Sequence, residues 1–177
     1  MMLLNFVNKL LALATIGSQV FIILAIIYAL FVHKKNVVSG FFAKNGMVLA
    51  FIVALVATSG SLFYSNYAGF APCSLCWFQR IFMYPEVILL GLALLKNDRG
   101  IVDYSLTLTA VGLIISVYHN YIYIKSLSST FCTMSEPCIV AHVTEFGYVT
   151  IPMMALTAFL MVGLLLIYVK YDRTEKV

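Results

Sequence analysis

The stretch Tyr148–Val169, YVTIPMMALTAFLMVGLLLIYV, carries no charged residue over a length that can cross a lipid bilayer. A transmembrane α-helix needs about 20 consecutive, mostly apolar residues. Four more runs of this kind occur, so the sequence predicts an all-α integral membrane protein, a bundle of five transmembrane helices. The other predicted spans are Leu10–Val32, Met47–Tyr67, Trp77–Leu95 and Ile101–Ile124.

The composition of the chain points the same way. Of its 177 residues, 63% are hydrophobic and 10% are charged, against roughly 45–50% and about 25% in soluble domains. A disordered chain is excluded because disorder requires low hydrophobicity. The net charge of +4 comes from only 11 lysines and arginines. We interpret it as a sign of membrane topology and lipid contact, with no nucleic acid as partner.

The basic residues also predict an orientation. The first apolar run is too long for a signal peptide and is followed by His33, Lys34 and Lys35 rather than a cleavage site, so we expect a retained helix. With the N-terminus outside and the C-terminus in the cytoplasm, only Lys9 and Lys125 fall on the outer side. The basic residues then expected on the cytoplasmic side are Lys34, Lys35, Lys44, Lys96, Arg99, Lys170, Arg173 and Lys176.

Four cysteines form two pairs that should lie on one side of the membrane. Cys73 and Cys76 precede the third predicted span, and Cys132 and Cys138 follow the fourth. Two spans separate the pairs, so both emerge on the same face, which the charge bias places outside, where disulfides persist. One interpretation is a non-enzymatic membrane protein with two structural disulfides. We expect no metal, because a zinc site would need the second pair at ligand spacing.

The first pair has the spacing of a dithiol redox site, Cys73-Ser74-Leu75-Cys76. It opens a predicted helix, with Pro72 suited to the first helical position. A helix N-terminus favours negative charge and so favours a thiolate. Arg80, one turn below Cys76, either stabilises a thiolate or ligand oxygen or reaches lipid phosphate.

Two more ionisable residues lie inside predicted spans, where such residues are functional candidates. By helical rise, Arg80 lies about 5 Å and His119 about 7 Å from the outer face, both beneath the cysteines. His119 is either a ligand-site residue or a bundle histidine. Glu86 lies about 14 Å down its helix and should be neutral or paired. It either meets a carbonyl left open by Pro85 or handles protons.

These motifs resemble those of a known family. Residues 72–85, PCSLCWFQRIFMYP, resemble the signature of the DsbB-type disulfide bond formation proteins, especially the BdbC-like branch. Residues 132–138, CTMSEPC, and 146–152, FGYVTIP, are similar to that branch as well.

The resemblance implies a bacterial membrane thiol oxidase that reoxidises a DsbA- or BdbD-like thioredoxin-fold partner and passes the electrons to a quinone. It implies that Cys73 and Cys76 face the quinone and that Cys132 and Cys138 meet the partner. Arg80 matches the arginine that supports quinone reactivity, and we expect Gln79 and His119 beside it. The sequence does not distinguish ubiquinone from menaquinone.

The resemblance covers residues 47–170, a core of four helices. Residues 1–46 add an N-terminal helix and a cytoplasmic loop, and residues 171–177 form a cytoplasmic tail, all within one membrane domain. The vitamin K epoxide reductases use the same parts, but there the loop cysteines precede the CxxC. The same scaffold could also run in reverse and deliver reducing equivalents outward, because reduction potentials set the direction.

Overall fold

A computed structural model describes residues 2–31, 37–125, 132, 138 and 143–174 of the chain. Within these residues it contains five helices that are long and apolar enough to cross a membrane, as the sequence predicts. A π-helical segment, Phe63–Tyr67, follows the second helix, and a two-stranded hairpin precedes the fifth. The elements are α1 Met2–Phe31, α2 Val37–Leu62, α3 Ser74–Lys96, α4 Ile101–Lys125, β1 Thr144–Glu145, β2 Val149–Thr150 and α5 Ile151–Thr174.

The first two helices start earlier than predicted. α1 starts at Met2 rather than Leu10, and α2 at Val37 rather than Met47. Lys9 and Lys44 therefore lie on helices and not in loops, and both side chains are exposed. The helical backbone continues past the apolar run because a long basic side chain can extend toward water while its stem stays on apolar surface.

The start of α3 differs from the prediction by one detail that matters for the cysteines. Cys73 is the N-cap residue of α3, with extended backbone angles, and Ser74 is the first residue of the helix. Pro72 therefore lies one residue before the cap rather than at the first helical position. At the other end of the chain, α5 starts at Ile151 and not at Tyr148, because Val149 and Thr150 pair with the β1 strand.

The last four helices form a bundle in which neighbours along the chain are neighbours in space, and α5 closes the ring by packing on α2. Gly112 of α4 lets Phe159 of α5 lie directly against the helix backbone, where a Cβ atom would collide with the ring. The first helix packs mainly against α5 and contacts the hairpin through β1. The fully buried centre of the bundle includes Leu90, Val102, Phe159, Val162, Leu165 and Leu166.

Glu86 joins two helices of this bundle. Its side chain is fully buried, and Thr109 of α4 donates a hydrogen bond of 3.0 Å to Oε1. α3 continues without a break through Pro85. The hydrogen-bond partner of Glu86 is thus a hydroxyl on the next helix and not the predicted open carbonyl. This contact pins α3 to α4 in a region where an unpaired polar group would be costly.

Candidate active site

Both cysteine pairs lie at one end of the bundle and belong to one cluster. Cys73 and Cys138 are buried, and Cys76 and Cys132 pack against the same cluster. Cys132 and Cys138 form a disulfide. Cys73 and Cys76 are thiols whose sulfur atoms lie 3.3 Å apart. The protein therefore brings one oxidised and one reduced cysteine pair together, although about 60 residues of sequence separate them.

The first pair is shaped by the start of α3. The carbonyl of Cys73 accepts a hydrogen bond from the amide of Trp77 at 3.1 Å, which makes it part of the first turn of the helix. Cys76 lies inside that first turn, so both sulfur atoms lie at the N-terminal end of α3. Unpaired backbone N–H groups give this end of a helix a partial positive charge, which stabilises a thiolate.

His119 of α4 connects Cys73 to Gln79. Its Nε2 atom lies 3.8 Å from the Cys73 sulfur, and its Nδ1 atom lies 3.2 Å from the Gln79 side-chain nitrogen. An amide nitrogen can only donate, so Nδ1 accepts and the proton of the neutral imidazole sits on Nε2, facing the sulfur. All three residues are buried. Gln79 thus orients His119, and His119 donates toward Cys73.

These contacts change the acidity of Cys73, which lies just before the membrane span that starts at Ser74. The hydrogen bond from the Cys76 thiol, and after it the one from His119, lower the pKa of the Cys73 thiol well below its usual value. Burial opposes the shift without cancelling it. Cys73 is therefore the thiolate of the reduced pair near neutral pH.

Arg80 is buried and held in place by the end of α2. Its Nε atom donates to the Ser61 hydroxyl at 2.9 Å, and a terminal nitrogen donates to the Ser61 carbonyl at 3.1 Å. Its guanidinium carbon lies 5.1 Å from the centroid of the Trp77 ring. Arg80 follows Cys76 by four residues on α3, so the two side chains lie on the same face of the helix. Arg80 is thus part of the site and not an anchor to lipid phosphate.

Ser61 is a site residue that the sequence did not reveal. Ser61 binds Arg80 and also accepts from the Tyr84 hydroxyl at 3.4 Å. The helix changes to π spacing at Phe63, two residues later. Such π segments interrupt the regular hydrogen-bond ladder and often lie at functional sites.

A cavity of about 450 Å³ lies beside the cysteines. Its polar end is formed by Cys73, Cys76, Gln79, Arg80 and His119, and Cys138 also lines it. Sites for small molecules typically have a volume of this size and an apolar lining with a few convergent polar groups. The rest of the lining is mostly apolar and includes Leu11, Ile52, Val53, Val56, Met83, Ile151 and Phe159.

The same cluster includes three atoms that could ligate a soft metal ion. The sulfur atoms of Cys73 and Cys76 and a ring nitrogen of His119 all lie within 4.8 Å of one another. Metal binding would require both sulfurs as thiolates. Because disulfide formation consumes both of them, metal binding and redox turnover exclude one another at this site.

The structure brings together all seven residues that the sequence suggested for the site. The four cysteines form the cluster, and Gln79, Arg80 and His119 surround the first pair. The finer contacts were not foreseen: Gln79 bonds to His119, and Arg80 bonds to Ser61.

Known proteins share this sequence pattern. The sequence model described as "Disulfide bond formation protein DsbB" matches residues 43–169, which leaves α1 outside the match. A "Probable disulfide formation protein" of Oceanobacillus iheyensis is 37% identical over 137 residues, 76% of this chain and 94% of that protein.

Two Bacillus proteins are similar to the same extent. "Disulfide bond formation protein C" of Bacillus subtilis is 36% identical over 140 residues, 75% of this chain and 99% of that protein. "Probable disulfide formation protein C 1" of Bacillus cereus is 42% identical over 122 residues, 68% of this chain and 88% of that protein. No solved structure matches the chain.

The family match spans most of the chain, and it includes both cysteine pairs and four of the five helices. The chain therefore belongs to the DsbB family of disulfide bond formation proteins and is a multi-pass membrane thiol–disulfide oxidoreductase.

Proposed function

We propose that the protein reoxidises a thioredoxin-fold thiol oxidase of the DsbA or BdbD kind and passes the electrons to a membrane quinone. One observation carries this proposal: the Cys132–Cys138 disulfide packs against the Cys73/Cys76 dithiol, and a cavity opens beside that dithiol. This arrangement has one pair for each of the two exchanges that such a relay needs.

The first exchange uses the outer disulfide. A thiolate of the reduced partner attacks the sulfur of Cys132, the sulfur–sulfur bond to Cys138 breaks, and Cys138 leaves as a thiolate. The second partner cysteine then attacks the mixed disulfide, so the partner leaves oxidised and the loop pair holds two electrons. Burial supports this order of attack, because Cys138 is only 4% exposed whereas Cys132 is half-buried.

The second exchange moves the electrons inward. With Cys73 and Cys76 as a disulfide, the Cys138 thiolate attacks Cys73, the neighbour in its buried cluster, and Cys76 leaves as a thiolate. Cys132 then resolves the new mixed disulfide. The loop disulfide re-forms, and Cys73 and Cys76 hold the electron pair.

The residues present fit a quinone at the polar end of the cavity. A quinone supplies a two-electron, two-proton acceptor there, so that the dithiol returns to a disulfide and a quinol leaves. Arg80 donates only part of its five N–H groups to Ser61, and the remainder can bind a ligand oxygen. Arg80 lies one helical turn below Cys76 on α3 and lines the same cavity, which supports Cys76 as the sulfur nearest the acceptor.

Stabilisation of the reduced pair supports the inward direction of flow. Hydrogen bonds to the Cys73 sulfur favour the dithiol state over the disulfide state. In thiol–disulfide oxidoreductases, a disulfide is a stronger oxidant when its reduced form is stabilised. The Cys73–Cys76 pair is thus suited to draw electrons from the loop pair rather than to supply them.

The proposal includes a location and a domain organisation. The chain lies in the bacterial cytoplasmic membrane, with the N-terminus and both cysteine pairs outside and the C-terminus in the cytoplasm, as the positive-inside rule favours. It forms one membrane domain in which residues 1–46, which include α1 and the first turns of α2, precede a DsbB-like core at residues 47–170. Residues 171–177, of which 171–174 still belong to α5, follow the core.

Arg80 and Ser61 give the direct test of quinone binding. Arg80→Ala should raise the KM for quinone about tenfold or more, because hydrogen bonds to charged groups contribute about 1.5–3 kcal/mol. Arg80→Lys should recover part of the loss, since it restores the charge but not the planar fork. Ser61→Ala should cause a smaller rise. The measurement is quinone reduction by the purified protein with a reduced DsbA-like partner.

Ser65→Ala is the matched control for Ser61, because Ser65 is a nearby serine that bonds to backbone and not to Arg80. It should leave the KM unchanged. If Arg80→Ala leaves the KM for quinone unchanged, Arg80 does not bind the quinone.

The order of attack predicts which loop cysteine can be trapped. Cys138→Ser mixed with the oxidised partner should accumulate a mixed disulfide on Cys132. The Cys132 thiolate attacks the partner's disulfide, one partner sulfur leaves as a thiolate, and the loop thiol that would resolve the adduct is gone. Cys132→Ser should accumulate much less, since Cys138 is buried. The adduct is seen as a heavier band on non-reducing gels that disappears with reductant. A stronger adduct in Cys132→Ser would reverse the assignment.

Replacement of His119 should change the pKa of the Cys73 thiol. Cys76→Ser with Cys132→Ser and Cys138→Ser leaves Cys73 as the only cysteine, and the serine hydroxyl keeps a donor beside it. Adding His119→Ala should move the midpoint of the pH dependence of Cys73 alkylation to higher pH. The reason is that loss of a donor to the thiolate raises its pKa toward the ordinary value.

Tyr121→Phe, an exposed change on the same helix, serves as the control and should leave the alkylation midpoint where it is. An identical midpoint with and without His119 would show that this histidine does not act on Cys73.

A further inference from the structure

The first helix, which lies outside the family match, forms one wall of the cavity. The residues involved recur at helical spacing on one face of α1: Leu11, Ala14, Thr15 and Ser18. Three of the four have small side chains, so the wall leaves room between α1 and the bundle. The part of the chain that matches the family does not supply this wall, since the match begins at residue 43.

Specific contacts fix the position of α1. The side-chain amide of Gln19 donates to the Thr157 hydroxyl of α5 at 3.1 Å, and the Tyr148 hydroxyl donates to the Gln19 carbonyl oxygen at 2.9 Å. Hydrogen bonds between helices in an apolar surrounding hold them in one register. The wall is therefore built into the fold and is not a loosely attached helix.

Between α1 and α2 the packing is incomplete. The two helices approach where Leu11 lies against Gly60, and again where the rings of Phe21 and Phe42 have centroids 5.1 Å apart. Between these two contacts, Ile52 and Val56 of α2 line the cavity and yet remain 47% and 46% exposed. The cavity is thus not sealed on this side.

We propose that α1 selects the oxidant by contacting its apolar tail, and that the tail lies in the gap between α1 and α2. The inference rests on the proposed function. A quinone ring that reaches Cys76 must occupy the polar end of the cavity beside Arg80. Its hydrocarbon tail must then run along the apolar lining of the cavity. The gap between α1 and α2 connects this part of the cavity with the surrounding lipid.

Adding bulk to this wall tests the proposal. Ala14→Leu should raise the KM for a quinone with a long isoprenoid tail about tenfold, because the larger side chain would occupy space in the cavity that the tail needs. The KM for the same ring carrying a methyl group in place of the tail should change less than twofold. Ser18→Leu is a second variant at the next turn of the wall and should act in the same way.

Gly17→Leu is the matched control. It introduces the same side chain next to Ser18, but a Cβ atom at Gly17 meets no other group within 4 Å. It should change neither KM. Retention of the Cys132–Cys138 disulfide in every variant, measured by thiol alkylation, shows that the fold is intact.

The outcomes separate this inference from the proposed function. Equal KM changes for tailed and tail-less quinones, or equal effects of Ala14→Leu and Gly17→Leu, would overturn the role of α1 while leaving quinone oxidation in place. If the unmodified protein reduces neither quinone, the proposed function fails and the inference fails with it.

Discussion

A lipid bilayer offers no hydrogen-bond partner to a polar group, and this constraint governs where chemistry can occur in the protein. The spans are helices because only a helix satisfies its own backbone inside hydrocarbon. Two ionisable side chains in the spans find partners on neighbouring helices: Oε1 of Glu86 accepts from Thr109, and Arg80 donates to Ser61. Reactive side chains can lie at the N-terminal ends of helices, where unpaired backbone N–H groups stabilise a negative charge. The start of α3 is such an end, and it holds both Cys73 and Cys76.

The four cysteines near that end differ in their surroundings. Cys132 is half-buried, Cys138 and Cys73 are buried in one cluster, and Cys76 lines the cavity together with Arg80. Gln79 and His119 stabilise a thiolate in the middle of this series. In the proposed relay, a pair of electrons that enters at the loop disulfide would be drawn toward the cavity, because these contacts favour the reduced form of the inner pair.

Sequence patterns predicted the parts of this structure that depend on composition and counting. Five apolar runs gave five helices, and the even number of spans between the cysteine pairs placed both at one end. The first turns of α1 and α2 were missed, because polar residues, Asn8 and Lys9 in α1 and Lys44 and Asn45 in α2, interrupt the apolar pattern there. The contact between Arg80 and Ser61 was also missed, since it depends on how α3 is rotated against α2. The wall formed by α1 could not be foreseen for the same reason.

The central claim, that electrons pass from the partner through the loop pair to the inner pair and then to quinone, is tested most directly by mapping the redox state of the four cysteines. The purified protein is mixed with excess reduced DsbA-like partner, then alkylated and analysed by mass spectrometry, with and without quinone. We predict that both pairs become reduced without quinone and return to disulfides with it, and that Cys132→Ser combined with Cys138→Ser keeps Cys73 and Cys76 oxidised. Reduction of Cys73 and Cys76 by the partner in that double variant would contradict the relay.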